Sequence, residues 1–178
     1  MFGFQIGKLS YIYKNSSDIS IYAFSFFVFF TAASLSKFPT VYDNLGGLYS
    51  LDNIPTEIQP HHFFIINLSK EKERGTHWIS VHRQVGGFIE LFDSLGFDQR
   101  KRSLYETYLP FVQFETNITP VQCQDSSLCG QFCLFYIVER FLHFDESLNE
   151  FLSDRFTLNC ASNEKLVTDF CLKNGIPI

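Results

Sequence analysis

The run Cys129 to Phe144, CGQFCLFYIVERFLHF, puts apolar residues on nearly every face of a helix. Such a helix has almost no side to give to water, so it marks a central buried element that the rest of the chain must surround. With 178 residues, the chain is long enough for one domain with its own core and too short for two comfortable ones. Hydrophobic residues at 46% against 19% charged supply the apolar surface for that core and exclude a globally disordered chain. The 22 Phe are large, rigid packing units, so aromatic clusters are read as core rather than as base-stacking or cofactor platforms. A formal net charge of −5 argues against the clustered basic face that phosphate backbones require, so nucleic acid is not an expected partner.

The five cysteines are odd in number and too sparse for a disulfide-stapled secreted scaffold. A reducing, intracellular compartment, cytoplasm or nucleus, is the simpler expectation. Cys123, Cys129 and Cys133 lie close together, but their spacing matches no tetrahedral zinc motif and no paired CxxC or HxxxH completes one. No metal and no other cofactor is expected. Residues 1–40 read as a hydrophobic N-terminal extension ahead of a domain over 41–178. Within the extension, Ile19 to Ser36 is uncharged and borderline in length for a membrane span, which needs about 20 apolar residues. Membrane association through Ile19 to Ser36, an export signal and a packed addition all stay open.

Beyond Pro39 the pattern is that of a compact α+β domain. Gly46-Gly47 and Pro55 punctuate its entry, and His62 to Leu68 reads as a buried strand, short, aromatic and β-branched. Ser69 to Gly75 is a charged, solvated loop. Thr76 to His82 and Phe88 to Asp93 form a hairpin around a glycine-bearing turn, Gln99 to Phe111 is helical in composition, and Gln113 to Thr119 is a further strand. Asp125, Ser126 and Ser127 are good N-caps, which places Cys129 in or beside the first turn of the central helix. The tail, Leu148 to Ile178, reads as helical and offers no chemistry.

A hairpin centred on Val85 sets Val81 opposite Ile89, Ile79 opposite Leu91 and His77 opposite Asp93, all on one face. Four of these six are aliphatic, and the imidazole and the carboxylate end the pattern together. A turn centre moved by half a residue pairs His77 with Ser94 instead. A carboxylate beside His77 fixes the tautomer and readies the other ring nitrogen for a nucleophile. A merely structural polar pair at the strand ends is the competing reading. His61, His62, His82 and His143 have no comparable partner by spacing. Cys129 supplies a nucleophile by position, since the unpaired N–H groups and dipole of a helix start favour a thiolate. Gly130 leaves room for a substrate backbone, while Cys133, one turn on, reads as a small core residue. Gln122 or Gln124 can add an amide donor to the Cys129 N–H in stabilising an oxyanion.

Three segments, THW (Thr76 to Trp78), LFDSLG (Leu91 to Gly96) and VQCQDSSLCGQFC (Val121 to Cys133), in that order, resemble the adenain-like cysteine proteases. That group takes in adenovirus maturation proteases, SUMO-specific proteases and the proteases of virus-like Maverick/Polinton elements. The likeness extends to GGLYSLDNIP (Gly46 to Pro55) and FFIINLSKEKERGTHW (Phe63 to Trp78), covering roughly residues 40 to 140. It implies a papain-like arrangement, a central mixed sheet with a buried helix bearing the nucleophile. It also implies Cys129 as nucleophile, His77 as base, Asp93 as orienting acid and Gln122 as oxyanion donor, with Trp78 and Gly130 at the substrate cleft. The implied activity is an endopeptidase cleaving protein or peptide substrates after glycine, at Gly-Gly or Gly-X. Viral-type precursor processing is the leading substrate class. Removal of SUMO-like or ubiquitin-like modifiers is the second, and an inactive relative that binds glycine-tailed partners is the alternative of a different class. The DNA and peptide activators of adenain find no counterpart in this acidic chain.

Overall fold

The computed structural model describes residues 31–178 apart from 32, 57–58, 71–75, 85, 99–101, 103–104, 106, 108 and 110–113. Most of the apolar segment Ile19 to Ser36, of the loop Ser69 to Gly75 and of the helical reading over Gln99 to Phe111 lies outside the described residues. Among the described residues, no helix is long and apolar enough to cross a membrane. The described elements are helix α1 (Pro39–Asp43), strands β1 (Leu45–Ser50), β2 (Phe63–Asn67), β3 (Trp78–Arg83), β4 (Ile89–Phe92) and β5 (Phe114–Thr116), then helices α2 (Cys129–Leu142), α3 (Leu148–Arg155) and α4 (Cys160–Lys173). The five strands form one mixed sheet in the order β1-β2-β3-β4-β5. Its two outer pairings are parallel and its two inner ones antiparallel, which makes the molecule α+β.

Apolar cores on both faces explain the unbroken hydrophobic run of β2, all five residues of which are buried. Phe63 and Ile65 join the core shared with α2, α3 and α4, whereas Phe64 and Ile66 join a second core with Tyr105 and Leu109. Helix α2 is buried from Phe132 to Val138, in line with its all-round apolar sequence. Leu35 is fully buried in the same core and the Phe38 ring stacks on Phe170, so residues ahead of position 41 contribute to the fold.

Three local expectations are corrected. Gly46 and Gly47 do not merely punctuate an entry but lie within β1, paired parallel to β2. A Cβ at Gly46 would stand 2.5 Å from the Phe64 ring, so the glycine makes room for a core aromatic. In the hairpin, Val81 pairs with Leu91 and Arg83 with Ile89, two residues away from the expected register. The turn closes through Gln84 and Phe88 and so centres one position later, on Gly86. Because the shift is even, the faces of both strands are preserved. The N-cap of α2 is Leu128 without a side-chain cap bond, not Asp125, Ser126 or Ser127. Ser126 Oγ instead accepts from the Leu128 N–H within the loop. The tail divides into α3, which opens with a Ser147–Glu150 capping box, and α4, which Asn159 caps.

Candidate active site

His77 immediately precedes β3 and Asp93 immediately follows β4. With the register moved by two they are diagonal rather than opposite, yet His77 Nε2 lies 2.6 Å from Asp93 Oδ1. Both are buried. Cys129 lies beside the same imidazole, in the cleft the two residues line together. Burial by itself would push the imidazole's pKa down. Its hydrogen bond to Asp93 first, then its interaction with Cys129 and the Asp93 charge, outweigh that and hold it up at about 9.

Asp93 is fixed on every side. Oδ1 also accepts from the Leu95 N–H at 2.9 Å, and Oδ2 accepts from the Tyr105 hydroxyl at 2.9 Å. Burial first, then the Asp93 charge, push the Tyr105 phenol far above its ordinary range, so it remains a neutral donor. Asn117 clamps the backbone, accepting from the Asp93 N–H at 3.0 Å and donating to its carbonyl at 2.7 Å. Gly96 has φ +77°, and a Cβ there would stand 2.5 Å from the Ile118 carbonyl, so only glycine lets this turn close against the following chain. That closure brings the Val121 and Gln122 N–H groups to the Ser94 carbonyl, each at 2.9 Å.

Gln122 is 2% exposed; its Oε1 accepts from Ser94 Oγ at 2.6 Å, and its Nε2 donates to the Ser126 carbonyl at 2.9 Å. The loop between Gln122 and α2 therefore folds back onto the Gln122 side chain. Gln124 is exposed. A cleft of about 570 Å³ is lined by His77, Trp78, Gln122, Gln124, Cys129 and Gly130, with Asp93 behind His77. Pro177 and Ile178, from the tail in which the sequence offered no chemistry, line it too. They are aimed there by the end of α4, where the Ile176 N–H bonds the Cys171 carbonyl and the Ile176 side chain is buried.

Of the free cysteines, Cys129 is half-buried and faces the cleft, while Cys133 and Cys171 are buried. Burial pushes the Cys133 thiol well up and the Cys171 thiol to about 11, so both stay protonated. Cys123 and Cys160 form a disulfide, contrary to the expectation of five reduced cysteines. Sparse cysteines give no sign of pairing, but the fold sets these two Cα atoms 5.2 Å apart, within bridging range. The bridge ties the Gln122 loop to α4, as do Glu164 on the Cys123 N–H and Asn163 on the Val121 carbonyl.

Sequence spacing also missed a buried network on the sheet face under α2. His82 does have a partner: it lies opposite Glu90 in the register, 3.3 Å from its carboxylate, and stacks on Phe63. Arg140 of α2 donates to both Glu90 oxygens at 2.9 and 2.7 Å, and Tyr136 adds a bond at 3.0 Å. His143 likewise pairs with Glu146, at 3.2 Å on the surface. No motif announces Tyr105, Ser94 or Asn117; adjacency to Asp93 in LFDSLG was the available signal for Ser94 alone.

No family model matches the chain, and no curated protein matches it.

Proposed function

We propose that this chain is a cysteine endopeptidase that cleaves protein or peptide substrates after glycine. The observation that carries the reading is one cleft lined by Cys129 at the start of α2, by His77 bonded to the buried Asp93, and by Gln122. In this reading the Cys129 thiolate attacks the scissile carbonyl, and Gln122 Nε2 with the Cys129 N–H receives the developing oxyanion. His77 gives its proton to the departing amine and leaves an acyl-thioester on Cys129. It then takes a proton from water, whose oxygen attacks the thioester, so that the acid product leaves and the thiolate–imidazolium pair is restored. A helix start packed against the histidine-bearing sheet is the arrangement a papain-like fold supplies. The likeness around Gln122 to Cys133 favours precursor processing over modifier removal.

The test is a peptide ending in glycine with an electrophilic carbonyl replacement, followed by mass spectrometry. One label is expected on Cys129 and none in Cys129→Ala or His77→Ala. An unlabelled wild-type chain would overturn the reading and leave the cleft as a binding surface.

A further inference from the structure

We propose that Ser94 is a positioning residue that, together with the Ser126 carbonyl, holds the Gln122 amide in the orientation able to donate to a substrate oxyanion; the inference rests on the protease reading above. An amide side chain can turn over without changing shape, exchanging its oxygen and nitrogen. Turned the wrong way, it would present lone pairs to a developing negative charge and work against the reaction. At Gln122 both ends of the amide are engaged. The Ser126 carbonyl can only accept and takes one Nε2 hydrogen at 2.9 Å. With the nitrogen end so selected, the Ser94 hydroxyl, which can donate or accept, donates to Oε1 at 2.6 Å and pins the other end. Ser94 is 1% exposed and Gln122 2%, so water does not compete for the bond between them.

With Oε1 and one Nε2 hydrogen occupied, the second Nε2 hydrogen remains for the cleft, which Gln122 lines together with Cys129. The backbone on both sides is fixed separately, because the Val121 and Gln122 N–H groups bond the Ser94 carbonyl. Those bonds survive removal of the hydroxyl, so Ser94→Ala frees the Oε1 end of the amide, leaving it on the single Ser126 contact, without releasing the loop. Two consecutive residues thus serve the two halves of the site: Asp93 orients the base, and Ser94 orients the oxyanion donor.

The experiment compares two reactions of the same thiol in the full chain. Hydrolysis of a fluorogenic peptide amide ending in Gly-Gly passes through an oxyanion, whereas alkylation of Cys129 by iodoacetamide is a displacement at carbon and forms none. Ser94→Ala should lower kcat for the peptide by about 10- to 100-fold, part of what losing the whole donor costs, with KM within about twofold and the alkylation rate unchanged. Adding Ser94→Ala to Gln122→Ala should cause no further loss, since the hydroxyl acts only through that amide. If the alanine variant does not fold, Ser94→Cys, of similar size with a weak donor, should show the same split. An unchanged kcat, additive losses in the double variant, or a parallel fall in alkylation overturns the assignment of Ser94 while leaving the protease reading intact. A wild-type chain that is alkylated but hydrolyses no peptide overturns both.

Discussion

Cys129 and Cys133 lie one turn apart on α2, and their surroundings give them different chemistry. Cys129 lies beside His77 in the cleft; Cys133 is wholly enclosed and held as a thiol. Cys129→Ala should therefore abolish peptide turnover with a melting temperature near that of the wild type, because one partly exposed sulfur is lost and little cavity opens. Cys133→Ala should keep most of the turnover and lose about 1 kcal/mol of stability, read from denaturant unfolding. The opposite pattern would move the nucleophile. For His77 the sign of the pH effect follows from a folded-state pKa of about 9, above the ordinary 6.5. The folded chain holds this proton more tightly than the unfolded one, so the stabilisation is complete below about pH 6.5 and is withdrawn as pH rises through 9. Asp93→Asn should flatten that segment of the stability profile, measured as urea midpoints from about pH 6 to 10. It should also slow turnover far less than His77→Ala, which removes the base itself.

Between elements, a buried ion pair and a disulfide join parts of the chain that no local pattern connects. Burial by itself would push the Glu90 carboxyl up, but hydrogen bonds from His82 and Arg140 and the guanidinium charge hold it down at about 2. That contribution is present above about pH 4.5 and lost as pH falls toward 2. Arg140→Leu leaves Glu90 buried without its cation on the β4 side of α2, and should cost about 3–5 kcal/mol in denaturant unfolding. The Cys123–Cys160 bridge closes a loop of 37 residues, for which chain entropy predicts a loss of about 3–4 kcal/mol in Cys160→Ser. Thiol titration of the denatured, unreduced wild type should find three free thiols, Cys129, Cys133 and Cys171. Five would remove the bridge.

Across the whole molecule, one wall of the cleft comes from Pro177 and Ile178, which follow α4. Deleting residues 177–178 should weaken binding of a Gly-Gly peptide several-fold by removing apolar contact area, while Ile176 keeps the tail anchored and the melting temperature nearly unchanged. Tighter binding would show that the tail obstructs the cleft. Local pattern made much of the framework legible: β2 as a short apolar run, β3 and β4 as a hairpin, α2 as a buried helix with Cys129 at its start. It misread β1, because glycine in a strand reads as a turn until Phe64 is seen above Gly46. It also missed the register, since one position in the turn centre moves every pair by two. Periodicity and helix-start chemistry are properties of neighbouring residues, so the sequence by itself determined β2, the β3–β4 hairpin and α2, and put His77 and Asp93 on one face near the hairpin's open end. Which distant groups share a buried site depends on strand order and on which faces are covered. Only the tertiary structure could therefore bring Tyr105 to Asp93, Ser94 to Gln122, Arg140 to Glu90 and Cys123 to Cys160. Away from water, each of those polar groups must find its partner inside the fold.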